Sequence, residues 1–309
     1  MTYAMLFPGQ GSQAVGMLSG HSDALIGQTF EEASTALGWD LAALVREGPA
    51  ESLNQTARTQ PALLAAGIAV WRLWQAQGLP APAALAGHSL GEYTALVAAG
   101  SLDFADALKL VELRGQLMQA AVPEGVGGMS AVVGLEDEAI EAFCREYSGP
   151  GVLEPANYNA PGQVVVAGNI PALEWLEAQG KARGARMIKR LPMSVPSHSA
   201  LLREAADKLF ERLGSLSVRA PALPVLHNLD GATRQEPEAI RLALRDQLYR
   251  PVRWTATIKK LEEQGVTQLF ECGPGKVLVG LNKRIVKDAL SFALEDAEGF
   301  AKAVAAVKA

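Results

Sequence analysis

Residues 83–96 set a serine between two glycines, Gly87-His88-Ser89-Leu90-Gly91, after a short apolar run and before Glu92-Tyr93-Thr94-Ala95-Leu96. A strand-to-helix turn that sharp has no room for side chains at the flanking positions. Glycines therefore occupy them, and the serine Oγ projects at the strand's carboxyl end. Beside the amide N–H groups of a helix start, such a hydroxyl can attack an acyl carbon while the amides hold the oxyanion. The same residues also read as Ser-x-x-Glu, Ser89 to Glu92, a capping box in which the serine merely closes a helix. Both readings stand on this segment.

A serine nucleophile needs a base, and the chain has four histidines, His21, His88, His198 and His227. His88 adjoins Ser89 at a tight turn and is expected to pack beneath it, His21 is expected to be exposed, and His227 to be a satisfied core histidine. His198, in Val195-Pro196-Ser197-His198-Ser199, lies on a loop entering a helix, where a base can face a cleft. The alternative is a helix-start histidine with no catalytic task. No acid for a triad stands out. Asp230 belongs to the turn-like Asn228-Leu229-Asp230-Gly231 and Asp246 to a helical stretch, so a Ser–His dyad is as tenable.

The helical run 103–121 adds a third unusual residue. At 100° per residue, Ala107, Val111, Arg114 and Met118 fall within about 60° of one another, so Arg114 sits inside the buried stripe. A guanidinium there stays charged and needs an anion or several acceptors. It either pairs with protein groups or grips a substrate carboxylate with a bidentate fork.

These residues need a scaffold. A strand at 3–7 runs into the turn-rich Pro8-Gly9-Gln10-Gly11-Ser12-Gln13, and helical patterns, including 61–74, lead to the strand 83–87. After Pro123-Glu124-Gly125 the texture changes to strand 129–135, helix 136–147, strands 152–157 and 163–167, helix 170–180 and strand 185–191. That order is βαββαβ, the ferredoxin-like unit. Helix 200–213, strand 225–229, helices 236–248 and 252–264, strand 266–272 and helix 276–286 resume the earlier alternation. The expected fold is α/β: a doubly wound, mostly parallel sheet over residues 1–125 and 195–309, with a ferredoxin-like domain inserted at 126–194. Ligands on such sheets bind beyond the strands' carboxyl ends. The loops 8–13, 87–91 and 273–275 fall there.

Composition narrows the class. The chain has 309 residues, 49% of them hydrophobic and 20% charged, which is ordinary for a globular enzyme. A net charge of −5 argues against general nucleic-acid binding. The longest apolar run, 62–71, is too short to span a bilayer, and no secretory signal is read at the N-terminus. Cys144 and Cys272 lack metal spacing and are read as packing residues in a reduced, cytoplasmic setting. Gly273-Pro274-Gly275-Lys276 lacks the spacing of a phosphate loop.

Six segments then occur in one order: Phe7-Pro8-Gly9-Gln10-Gly11-Ser12-Gln13, Gly87-His88-Ser89-Leu90-Gly91-Glu92, Leu113-Arg114-Gly115, Asn159-Ala160-Pro161-Gly162-Gln163, Val195-Pro196-Ser197-His198 and Glu271-Cys272-Gly273-Pro274-Gly275-Lys276-Val277-Leu278. Together they resemble the malonyl-CoA:acyl carrier protein transacylases of bacterial fatty-acid synthesis, along essentially the whole chain. The resemblance implies a hydrolase-like α/β domain with a ferredoxin-like insertion, and a ping-pong transfer of malonyl from malonyl-CoA to the phosphopantetheine thiol of acyl carrier protein. Carried over, Ser89 is the nucleophile, His198 the base, and the N–H groups of Gln10 and Leu90 the oxyanion hole. Arg114 would bind the malonyl carboxylate, the main-chain carbonyl of Gln247 would orient His198, and Met118 and Asn159 would line the pocket. No metal or cofactor, nucleic acid or membrane is implied, and a monomer is expected. Arg250 stands where the family often has asparagine, and Cys272 where a small apolar residue is common. The carrier protein being acidic as a family trait, the basic runs 181–190 and 283–287, otherwise solvated faces, become candidate docking faces. The rival readings are a serine esterase or thioesterase, an acyltransferase for another extender unit such as methylmalonyl, and a binding module in which Ser89 only caps a helix.

Overall fold

The structure, a computed structural model, describes residues 2–193 and 195–308. Ser194, where the inserted domain was expected to end, lies outside the described residues, as do Met1 and Ala309. In chain order the elements begin with β1 (Tyr3–Phe7), α1 (Ala24–Leu37), α2 (Leu41–Glu47), α3 (Ala50–Leu53), α4 (Thr56–Gln75), β2 (Ala84–Gly87), α5 (Gly91–Ala98) and α6 (Phe104–Ala121). The middle of the chain forms β3 (Gly127–Val133), α7 (Asp137–Arg145), β4 (Leu153–Ala160), β5 (Gln163–Asn169), α8 (Ile170–Gly180) and β6 (Met187–Arg190). A 3-10 turn at Ala200–Leu202 leads into α9 (Arg203–Gly214), followed by β7 (Val225–Leu226), α10 (Pro237–Tyr249), α11 (Trp254–Glu263), β8 (Gln268–Glu271), α12 (Val277–Ile285), β9 (Leu290–Ala293) and α13 (Ala297–Lys308).

Two sheets result. The first has the order β7-β2-β1-β8-β9, with every pairing parallel. Its centre is buried on both faces, so β1 is apolar at every position. Tyr3, Met5 and Phe7 pack with α4, α5 and α6 on one side; Ala4 and Leu6 face Trp254, Ile258 and Leu278 of α11 and α12 on the other. This is the expected doubly wound layering. The second sheet, order β4-β5-β3-β6, is antiparallel throughout, the ferredoxin-like arrangement. Val164 and Val166 turn toward α7 and α8, while Val165 and Ala167 alternate onto the opposite face with Met129. β4 is held to the segment between α10 and α11: Tyr158 N–H donates to Val252 O at 2.9 Å, and Val252 N–H to Ala156 O at 2.9 Å.

Several boundaries differ from the sequence reading. The strand expected at 225–229 stops at Leu226 because the chain turns: Gly231 takes a φ of 63° and its N–H donates to His227 O at 2.8 Å. The helix expected from 252 begins at Trp254, since Val252 is engaged with β4. β4 runs on to Ala160, past the expected 157. β9 and α13 were not anticipated; β9 is a short, half-exposed edge strand with weak patterning. Among the described residues, no helix is long and apolar enough to cross a membrane.

Candidate active site

The carboxyl ends of the parallel strands open onto a cavity of about 160 Å³. Ser89 sits between β2 and α5 with a φ of 52°, a left-handed conformation worth about 1–3 kcal/mol of strain. The two flanking glycines are required by close packing. A Cβ on Gly87 would lie 1.9 Å from Gly91 C, and one on Gly91 would lie 2.0 Å from Phe7 O. Ser89 N–H donates to Asn228 Oδ1 at 2.7 Å, and Asn228 Nδ2 donates to Gly87 O at 2.6 Å, pinning the turn from β7's end. The capping box does not form. The residue before α5 is Leu90, with no side-chain cap, and Ser89 Oγ instead meets His198 Nε2 at 2.8 Å.

His198 also has a positive φ, 61°, and is buried. Its Nδ1 lies 2.7 Å from the main-chain oxygen of Gln247, in the last turn of α10. A carbonyl only accepts, so Nδ1 carries the hydrogen and Nε2 is left as the basic nitrogen facing Ser89. Burial, with the nearby Arg114 charge second, pushes the imidazole down to about 3, so it is neutral at physiological pH. Asp230 and Asp246 do not approach it: Asp230 is taken by Arg234, and Asp246 by Arg245 and Tyr249. The arrangement is a Ser–His dyad oriented by a carbonyl.

Arg114, 1% exposed, reaches the same point from α6. Its Nη2 donates to Ser89 Oγ at 3.3 Å and to Gln247 Oε1 at 3.1 Å, and its Nη1 to Gln60 Oε1 at 2.8 Å. Gly115 lets α6 press against α4, where an added Cβ would lie 2.6 Å from Ala57 Cα, and this approach brings Gln60 to the guanidinium. Burial pulls Arg114 below the ordinary guanidinium value. Its partners are neutral oxygens, its Nε has none, and it makes no ion pair among the described residues. A buried cation so held retains affinity for an incoming anion.

Gln10 follows β1 and Leu90 follows Ser89, and both line the cavity. Among the described residues, no acceptor takes the N–H of either. Met118 and Asn159 also line it, Met118 accepting from Gln60 Nε2 at 3.3 Å. His88 packs its ring away from Ser89, as expected, and also lines the cavity. Its ring lies against Trp254, and Nε2 meets Asn159 Oδ1 at 2.8 Å, which turns the ring away from Ser89. His21, expected to be exposed, is half-buried, bonded to Leu294 O at 2.9 Å and set edge-on to Phe300. His227 is a core histidine, its Nδ1 on Glu92 at 2.7 Å, but its Nε2 has no partner among the described residues.

The sequence reading did not single out Gln60, Asn228 or the side chain of Gln247. Gln60 carries a signal of its own, a lone amide opening the otherwise apolar buried run of α4. Asn228 and Gln247 carry none, because their partners are distant in sequence. The two cysteines are buried, with burial pushing Cys144 up to about 12 and Cys272 well above the ordinary thiol value, which leaves both as inert thiols. Of the basic residues at 181–190, Arg183 pairs with Glu146 and Arg190 with Glu177, while Lys181, Arg186 and Lys189 are exposed.

The family model of the acyl transferase domain matches residues 4–301. The malonyl CoA-acyl carrier protein transacylase of Escherichia coli (strain K12) is 52% identical over 304 residues, covering 98% of each chain. An acyl carrier protein S-malonyltransferase from Vibrio cholerae superposes with a TM-score of 0.96 at 54% identity, covering 98% of this chain and 100% of that one. A malonyl-transacylase solved in complex with a type II PKS acyl-carrier protein superposes with a TM-score of 0.97 at 51% identity, covering 99% of this chain and 100% of the other. With likeness of this extent at every level, and a serine, a histidine and an arginine meeting in one cavity, the chain belongs to the malonyl CoA-acyl carrier protein transacylases of the acyl transferase family.

Proposed function

We propose that the protein transfers the malonyl group of malonyl-CoA to the phosphopantetheine thiol of acyl carrier protein through a malonyl ester on Ser89. One observation carries the reading: Ser89 Oγ lies between a basic nitrogen, His198 Nε2 at 2.8 Å, and a buried cation, Arg114 Nη2 at 3.3 Å. A plain esterase has no use for a buried guanidinium beside its nucleophile. An acyl group bearing its own carboxylate one methylene from the thioester does.

His198 takes the Ser89 proton as Oγ attacks the thioester carbonyl. The oxyanion accepts from the free N–H groups of Gln10 and Leu90, donors fixed before the reaction and costing no reorganisation. Collapse breaks the carbon–sulfur bond, and CoA leaves as the thiol with the proton His198 returns. The carrier thiol then gives its proton to His198, attacks the malonyl ester, and Ser89 leaves protonated. Arg114 holds the carboxylate in both halves, which fixes the reacting carbonyl over Oγ. Each step is acyl transfer between groups of the chain and its two substrates, so the mechanism calls on no metal or cofactor. The carrier partner is supported by the relatives' names and by the transacylase solved with its carrier protein. Residues 126–194 we read as an inserted domain that walls the cavity, and the whole as a cytoplasmic monomer that binds neither nucleic acid nor membrane.

Incubation with malonyl-, methylmalonyl- or acetyl-CoA, followed by intact mass and then by holo carrier protein, tests this. Malonyl-CoA should give the dominant adduct, Ser89→Ala should abolish it, and holo carrier protein should discharge it. Acetyl labelling equal to malonyl labelling, or discharge only to water, would sink the reading.

A further inference from the structure

Behind Ser89 lies a carboxylate that the dyad does not use. Glu92, on the first turn of α5, is fully buried. Its Oε1 accepts from His227 Nδ1 at 2.7 Å, and its Oε2 accepts from Asn228 N–H at 2.9 Å and Gln247 Nε2 at 3.1 Å. Each of these contacts leads back to the reacting groups. Asn228 holds Ser89 N–H. Gln247 Nε2 also donates to Ser89 O at 2.8 Å, while its Oε1 accepts from Arg114 and its main-chain oxygen holds His198.

We propose that Glu92 is a positioning residue for the substrate-carboxylate clamp, locking the Gln247 amide so that Oε1 faces Arg114; the inference rests on the malonyl-transfer reading above. A side-chain amide has a donor end and an acceptor end. Turned over, Gln247 would set its NH2 against the guanidinium, donor on donor, and its oxygen against both the Glu92 carboxylate and Ser89 O. In the buried site each mismatch is costly, so Glu92 removes that state. The carboxylate also stands one amide away from Arg114 instead of upon it. A direct ion pair would neutralise the charge the substrate needs; the Gln247 amide takes one Nη2 hydrogen without a charge and leaves Nη2 still in contact with Ser89 Oγ.

The test compares malonyl-CoA with acetyl-CoA, because acetyl lacks the carboxylate and is indifferent to the clamp. Glu92→Leu keeps the bulk but offers no acceptor, and should lower the malonyl-to-acetyl ratio of kcat/KM by roughly tenfold. Glu92→Gln retains an oxygen for Asn228 and Gln247, with His227 turning its other tautomer to the new NH2, and should hold the ratio within roughly twofold. The loss should vanish in an Arg114→Ala background. Equal loss of malonyl and acetyl transfer in Glu92→Leu, no rescue by Glu92→Gln, or additive effects with Arg114→Ala would each overturn the proposal. Gln247→Met keeps the carbonyl on His198 while removing the relay, so it tests the same link if Glu92→Leu does not fold: it should lose the ratio equally, and an unchanged ratio refutes the relay. Wild-type malonylation of Ser89 in the same assay tests the functional reading separately.

Discussion

The two sheets meet at one cavity and contribute different things to it. The parallel sheet supplies strand ends: Gln10 beyond β1 and Ser89 and Leu90 beyond β2 line the cavity, and Asn228 beyond β7 holds Ser89 N–H. At those ends the chain leaves a buried strand for a loop or helix, so backbone N–H groups and strained turns are presented in fixed positions. The antiparallel sheet supplies side chains from one face of its pleat, Met129, Asn157, Asn159 and Val165. Its hairpin and ladders use up their own backbone groups. Reaction chemistry belongs where a parallel sheet runs out, and shape belongs where an antiparallel sheet turns a face.

Substitutions on the two sides should therefore differ in size. The largest effect should come from Gly91→Ala. Its Cβ would lie 2.0 Å from Phe7 O, so α5 must move away from β1 and carry Ser89 off His198. Transfer should fall roughly 1,000-fold while the chain still folds, or the chain should fail to fold. Retention of more than a tenth of the activity in a folded Gly91→Ala protein would show that the strand end does not hold Ser89 in place.

Arg114→Ala should come next, lowering malonyl-CoA kcat/KM by roughly 100-fold through loss of a buried charge-assisted contact, with acetyl transfer changed far less. It also carries a pH signature. In the proposed mechanism the proton-free imidazole is the base, so acylation should be lost as pH falls through the pKa of His198. At about 3, that loss lies below the working range, and the wild-type rate should be level on this limb from pH 8 to pH 5. Arg114 is the second cause of the depression, so its removal should raise the pKa and move the acid limb of acetyl transfer upward. Equal loss of malonyl and acetyl transfer with no movement of the limb would make Arg114 a packing residue. Met129→Ala, on the antiparallel side, should change KM for malonyl-CoA by less than roughly tenfold and leave kcat nearly intact, because it reshapes a wall without touching a reacting atom. A kcat collapse there would show that the small sheet does more than shape the cavity.

Most of this architecture was legible in the chain. The alternation of apolar strands with amphipathic helices follows local periodicity, and the βαββαβ order from β3 to β6 needed nothing else. Where reading failed, distant residues decided. Leu229 continues an apolar pattern, yet the turn closed by Gly231 ends β7 at Leu226. Ser89 and Glu92 have the spacing of a capping box, yet Ser89 is drawn to His198, 109 residues away, and Glu92 to His227, 135 residues away. β9 escaped because a half-exposed edge strand carries too few apolar positions to announce itself.

By itself, the sequence determined the kinds of group available: a serine with glycines on both sides, a histidine on a loop, an arginine inside an apolar stripe. Spacing along the chain suffices for that, since a turn, a helix face or a break in hydrophobicity is a local property. Only the tertiary structure decided which group faces which: that the carbonyl of Gln247 fixes the His198 tautomer, that Arg114 bonds to neutral oxygens, and that Glu92 holds the far end of the Gln247 amide. Those choices depend on pairing buried donors with acceptors across the whole molecule, and no local pattern encodes a partner 49 or more residues away.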